Sequence, residues 1–93
     1  NGMGVFIAPN ASANSKKLAD IMIKEMANEF PQLKNRGVKT GNFAIIRDSN
    51  CPAILLESMF HTNEKECRIL MSEEGRDKIA DAIVRTIQKY MLS

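Results

Sequence analysis

The 93-residue sequence contains no tryptophan, one tyrosine, one histidine, two cysteines and three prolines. Each shortage closes off a class of protein. One histidine and two cysteines without C-x-x-C spacing cannot build a four-ligand structural zinc site from Cys and His. Two cysteines also exclude a disulfide-dense scaffold, and the expectation for Cys51 and Cys67 is a pair of free thiols packed as small apolar groups. Four Phe and one Tyr are not interleaved with basic runs, as a stacking platform for single-stranded nucleic acid requires. Charge of either sign is also scarce in excess: thirteen Lys or Arg against eleven Asp or Glu give +2, so no nucleic-acid partner is expected. Apolar runs stop at four residues, as in Ala53-Ile54-Leu55-Leu56, far below the ~18 a membrane span needs. No stretch near Asn1 reads as a secretory signal.

What remains is an ordinary globular composition, 44% hydrophobic and 26% charged. For this mass the folded surface should be about 5,400 Å², against about 15,000 Å² for the open chain, enough burial for one small core. The pattern alternates strand and helix signals. Gly4-Val5-Phe6-Ile7-Ala8, closed by Pro9-Asn10, reads as a buried strand. Ser12, Asn14 and Ser15 are N-cap candidates for a helix from Lys16, with Leu18, Met22 and Met26 stepping by four and Pro31 ending it at Phe30. The methionines at this spacing read as core filler. Residues 31–42 are turn-rich. Phe43-Ala44-Ile45-Ile46 and Ala53-Ile54-Leu55-Leu56 read as two more strands, antiparallel if they pair, since the gap between them is too short for a crossover. The second is apolar at four consecutive positions, as a strand covered on both faces would be. Asn63-Glu64-Lys65-Glu66 reads as a capping box, with Glu66 reaching back. Ser72-Glu73-Glu74 opens a last helix whose apolar stripe is Ile79, Ala80, Ile83, Val84, Ile87 and Tyr90. The order β-α-β-β-α-α indicates an α/β fold with a mixed, mostly parallel sheet flanked by helices.

Glu57 is the residue whose position suggests chemistry. It ends an apolar strand, and loops at strand ends are where functional groups gather in open α/β sheets. A carboxylate there can be a general base, a metal ligand or a loop anchor. His61 follows four residues later, but a strand end does not bring the two side chains to one face as a helix would. No Ser-His-Asp set and no phosphate-binding glycine motif can be read. Arg36 and Lys39, with Lys34, flank a glycine turn and could meet an anionic ligand, though a solvated loop is the plainer reading.

These segments also carry a resemblance. Arg36-Gly37-Val38-Lys39-Thr40-Gly41-Asn42-Phe43, then Ile45-Ile46-Arg47, then Cys51-Pro52-Ala53-Ile54-Leu55-Leu56-Glu57-Ser58-Met59-Phe60-His61-Thr62-Asn63 resembles the zinc-dependent N-acetylmuramoyl-L-alanine amidases. That family shows R-G-V-K-x-x-N-(aromatic), a short strand, and P-A-(aliphatic)₃-E-x-x-F-x-x-N. Gly4-Val5-Phe6, Ser15 to Ala19 and Ser72 to Arg76 fit in order, so the resemblance spans all 93 residues. It implies a peptidoglycan hydrolase that cleaves the amide between N-acetylmuramic acid and L-alanine with zinc-activated water. Glu57 matches the family's catalytic glutamate, and Arg36, Lys39 and Asn42 would lie near the cleft as substrate contacts.

The family's zinc ligands, His, Glu and His, belong to the half of the domain before Asn1. His61 falls at a variable position, and Ser58-Met59 stands where many members have a small residue and Gly. The resemblance therefore implies that residues 1–93 are the C-terminal half of a catalytic domain. No metal ligand lies in this chain, and no zinc is expected on it alone. The implied partners are peptidoglycan and either the missing half or a second copy. The implied location is the cell envelope, periplasmic or secreted, or the host wall attacked by a phage lysin. The alternative reading is a non-catalytic α/β binding module without metal.

Overall fold

A computed structural model describes residues 2–58 and 63–93. His61, with Met59, Phe60 and Thr62, lies outside the described residues. The first strand, β1 (Met3–Ile7), turns Met3, Val5 and Ile7 inward, all 7% exposed or less. The helix α1 (Ala13–Glu29) follows, and of the three cap candidates it is Ser12 that caps it, its hydroxyl accepting from the Ser15 N–H at 3.1 Å. Ala19, Met22, Ile23 and Met26 of α1 pack on β1, as the four-residue spacing predicts. Phe30 closes the helix, its N–H donating to the Met26 carbonyl at 2.9 Å, and Pro31 supplies no donor to extend it.

Two expectations fail in the middle of the chain. Residues 35–40 are not a loop but a strand, β2 (Asn35–Thr40), parallel to β1. Its apolar signal is only Val38, opposite Val5, and an edge strand needs no more. The turn signals within it mark a bulge instead: the Asn35 Oδ1 accepts the Gly37 N–H at 2.8 Å, and Gly37 adopts φ +75°, where a side chain would be strained. Conversely, 43–46 is not a strand. Ala44–Arg47 forms one helical turn, α2, burying Ile46 and leaving Ile45 75% exposed. The ladder stops where the Gly41 N–H reaches the Ile7 carbonyl, and the chain must then turn.

The run at 53–56 delivers a short strand, β3 (Leu55–Glu57), antiparallel to β1 and not to residues 43–46. The sheet order is β2-β1-β3, with one parallel and one antiparallel pair. The β3 residues are half-buried, less covered than four consecutive apolar positions suggest. The helix α3 (Glu64–Met71) is capped by Asn63, whose Oδ1 accepts the Glu66 N–H at 3.1 Å. Ser72 caps α4 (Glu73–Leu92) through the Gly75 N–H at 2.9 Å. The order is thus β-α-β-α-β-α-α, an α/β fold with a mixed three-stranded sheet.

The helix α4 crosses α1 on only part of its apolar stripe, with Ile79 packed against the core. Gly75, Ala82 and Thr86 are the buried residues, while Val84 and Ile87 are more than half exposed. Small residues let two helices approach closely, and charge completes the contact. Glu25 of α1, 4% exposed in its side chain, accepts from Arg85 at 2.8 Å and Lys89 at 2.6 Å, and Arg85 also reaches Glu29. These cations hold the Glu25 carboxyl below the usual carboxylate range, chiefly through the Lys89 and Arg85 hydrogen bonds and against the cost of burial. The sign follows directly: this stabilisation is complete above the ordinary carboxylate pKa and is lost as pH falls through the depressed one. Glu25→Gln should cost about 1.5–3 kcal/mol at pH 7 and flatten the acid limb of a stability-against-pH curve. Urea unfolding of both proteins from pH 7 to pH 2 checks it; parallel curves would assign the helix contact to packing alone. The chain exposes 5,789 Å² in all, slightly more than a monomer of this mass usually shows.

Candidate functional site

Strand alternation decides which groups share a face. Val5, Leu56 and Val38 turn toward α1, so Gly4, Phe6, Leu55, Glu57 and Lys39 turn away from it. Glu57 is registered opposite Gly4, and Phe6 opposite both Leu55 and Lys39. On its other side Gly4 borders β2: a Cβ there would lie 3.5 Å from the Arg36 Cβ and 3.4 Å from the Gly37 carbonyl oxygen. The sheet therefore brings Glu57, Arg36 and Lys39 onto one face, with a lane of bare backbone at Gly4 between the carboxylate and the arginine.

Asn42 does not join them. It is exposed in the turn after β2, and its Oδ1 accepts from the Arg47 Nη1 at 3.0 Å while Arg47 also pairs with Asp48 at 2.9 Å. Among the described residues the Glu57 carboxylate makes no hydrogen bond or ion pair, so it is not an anchor for that part of the chain. A half-buried carboxylate at a strand end with free lone pairs can accept a proton or bind a cation.

Two features of the surroundings escaped the sequence reading. Gly4 looks like the start of an apolar run and gives no sign of flanking Glu57. Glu66, read as a capping-box residue, places both carboxylate oxygens on the Gly2 N–H, at 2.9 and 3.0 Å, and so ties α3 to the entry of β1. A contact across 64 residues leaves no local signal. Among the described residues, clefts of about 210 Å³ beside Phe30 and about 170 Å³ beside Ser12 and Cys51 are both lined without Glu57. Cys51 and Cys67 are free thiols, but Cys51 is exposed and Cys67 only half-buried, so they do not both pack as the small apolar groups expected.

The sequence pattern of the N-acetylmuramoyl-L-alanine amidases matches residues 1–89. The chain belongs to that family. The chain is 39% identical over 77 residues to YqiI of Bacillus subtilis (strain 168), covering 83% of itself and 37% of that protein. It is 38% identical over 72 residues to the N-acetylmuramoyl-L-alanine amidase LytC of the same organism, covering 77% of itself and 14% of LytC. The crystal structure of an N-acetylmuramoyl-L-alanine amidase from Clostridium difficile 630 superposes on 99% of the chain at TM-score 0.91 and 30% identity, over 49% of its own length. The amidase chain thus spans half or less of the relatives it matches. Among the described residues no three His, Cys, Asp or Glu side chains come together, so these residues do not by themselves fit a zinc centre.

Proposed function

We propose that the chain is the C-terminal half of a peptidoglycan amidase domain and supplies its proton-handling carboxylate, Glu57. The observation that carries this is a family match along residues 1–89 together with a strand-end carboxylate that makes no hydrogen bond or ion pair among the described residues, on the same face as Arg36 and Lys39. The bond cleaved is the amide between the lactyl group of N-acetylmuramic acid and L-alanine. Zinc, held by ligands outside this chain, would polarise the scissile carbonyl and acidify a water. Glu57 accepts the proton of the attacking water and returns it to the departing amine. Arg36 and Lys39 attract the carboxylates of the stem peptide across the Gly4 lane. Asn42 contributes by holding the turn through Arg47. The site of action is the cell envelope or its exterior, or a host wall attacked by a phage lysin. No described helix is long and apolar enough to cross a membrane.

Among the described residues the outer edges of β2 and β3 pair with no further strand, and these edges are where the other half, or failing it a second copy, would pack. The expected outcome is sharp. The 93-residue chain alone retains no stoichiometric zinc after dialysis and releases no peptide from peptidoglycan, and both properties return on mixing with a separately produced zinc-ligand half. Tight zinc or hydrolysis by the chain alone would refute the division of labour. A chain that is monomeric, cooperative in unfolding and inert in the mixture would be the non-catalytic binding module.

A further inference from the structure

The sheet face that carries Glu57 also carries an aromatic pair that the hydrolytic reading does not use. Phe6 of β1 and Phe43, the cap of α2, meet edge to face with centroids 5.4 Å apart and planes at 74°. Phe43 is 42% exposed, in a chain with five aromatics. Its ring is nonetheless fixed. A Cβ at Gly41 would lie 2.4 Å from the Phe43 Cε2 and 3.0 Å from the Phe6 Cδ1, so only glycine there lets the ring lie against the backbone. The Asn42 to Arg47 hydrogen bond holds the same turn. The Lys39 ammonium stands 5.9 Å from the Phe6 centroid.

We propose that Phe43, backed by Phe6 and Lys39, is a stacking subsite for a pyranose ring of the glycan strand, an N-acetylhexosamine. The assignment deepens the peptidoglycan reading and rests on it. Gly41 backs the Phe43 ring and Lys39 stands over Phe6, but Phe43 remains 42% exposed, which leaves ring surface for a ligand. The axial C–H groups of a pyranose carry partial positive charge that matches the negative face of the ring. Lys39 supplies a donor for the hydroxyl or N-acetyl oxygens at the sugar's rim. Position fits as well. Glu57 is opposite Gly4, and Phe6 lies two residues further along β1, about 7 Å at strand rise. A sugar on this platform would hold its lactyl amide toward Glu57.

The test uses peptide-free N-acetylglucosamine oligomers, titrated into the 93-residue chain and read by NMR of the Phe ring and Lys side-chain signals. Saturable shifts of Phe43, Phe6 and Lys39 are expected. Phe43→Leu, which keeps apolar volume but no π face, should weaken binding about five- to tenfold, and Phe43→Tyr should restore it. In the completed domain the same Leu variant should raise KM for peptidoglycan and leave kcat unchanged. Absent shifts at millimolar sugar, or undiminished binding by Phe43→Leu, would overturn the subsite and assign the ring pair to protein packing. Should the Leu variant lose its cooperative unfolding transition, that result also counts as packing. Sugar binding by a completed, zinc-loaded domain that keeps Glu57 yet shows no amidase activity would keep the subsite and sink the reaction. Turnover without sugar binding would do the reverse.

Discussion

Replacing Glu57 by glutamine in the completed domain is expected to lower kcat by roughly 10²–10⁴, with zinc content and thermal midpoint unchanged. Glutamine keeps the shape and one carbonyl oxygen of the side chain but cannot take a proton from water. The structure indicates why stability should be spared. Glu57 is half-buried at the end of a three-residue strand, and its carboxylate has no partner among the described residues. Its backbone pairing with Gly4 persists in any variant. The loss should therefore fall on turnover, with KM moving little, because the proton transfer belongs to the transition state and not to substrate binding. Assays with soluble muramyl peptides, run beside zinc analysis and a melting curve, separate the possibilities. Turnover within a few-fold of the parent would make Glu57 a structural residue; loss of zinc would make it a ligand.

The parts of the fold that were legible in the sequence are those held by local periodicity. The spacing of Leu18, Met22 and Met26, the stop at Pro31 and the caps at Asn63 and Ser72 each rest on contacts within a turn or two. The structure reproduces them within a few residues. The strand at 35–40 was not legible, because its pairing comes from β1, thirty residues away, and its own sequence carries turn formers used for a bulge. The run at 43–46 misled for the opposite reason. Its apolarity serves Ile46 in a one-turn helix and Phe43 on the ring of Phe6, and no ladder is involved. On α4 the stripe of large apolar residues was read as the buried one. Full burial went instead to Ala82 and Thr86, on the side of the helix from which Arg85 and Lys89 reach Glu25, while Ile79 alone of the aliphatic stripe residues packs on the core.

For the site, position alone singled out Glu57 and set Arg36 and Lys39 beside a glycine turn, while the likeness to the amidases implied their roles and added Asn42. Alternation along β1 and β2 then divided that set. Arg36 and Lys39 share the face of Glu57, while Asn42 lies in the turn that follows β2 and accepts a hydrogen bond from Arg47. A sequence motif records which residues occur together. The register decides which of them can act together.

The largest effect on stability is expected at Phe30. Phe30 is 1% exposed and heads the fully buried side chains by volume. It ends α1, its carbonyl accepts the Leu33 N–H at 3.1 Å, and its ring belongs to the cluster formed by Met3, Val5, Met22 and Met26. Phe30→Ala removes that ring from a core with few substitutes, at a cost of about 3–5 kcal/mol. A chain this long has a net stability of only about 5–14 kcal/mol, so roughly a fifth or more is lost. At about 4–8 °C per kcal/mol the melting point should fall by roughly 12–40 °C. The cleft of about 210 Å³ that Phe30 already lines, with Ile69, Ser72 and Gly75, puts the new void at the junction of α1 with α3 and α4. The damage should therefore spread along α3 to Glu66 and its hold on Gly2, loosening the strand that sets Glu57 opposite Gly4. Phe30→Leu, retaining most of the volume, should recover more than half of the loss. Hydrogen exchange read across the two variants tests the route: protection should drop at Met3 to Val5 in Phe30→Ala and return in Phe30→Leu. Unchanged exchange in β1 despite a lower melting point would mean that the corner between α1 and α3 yields by itself and that the site is braced from elsewhere.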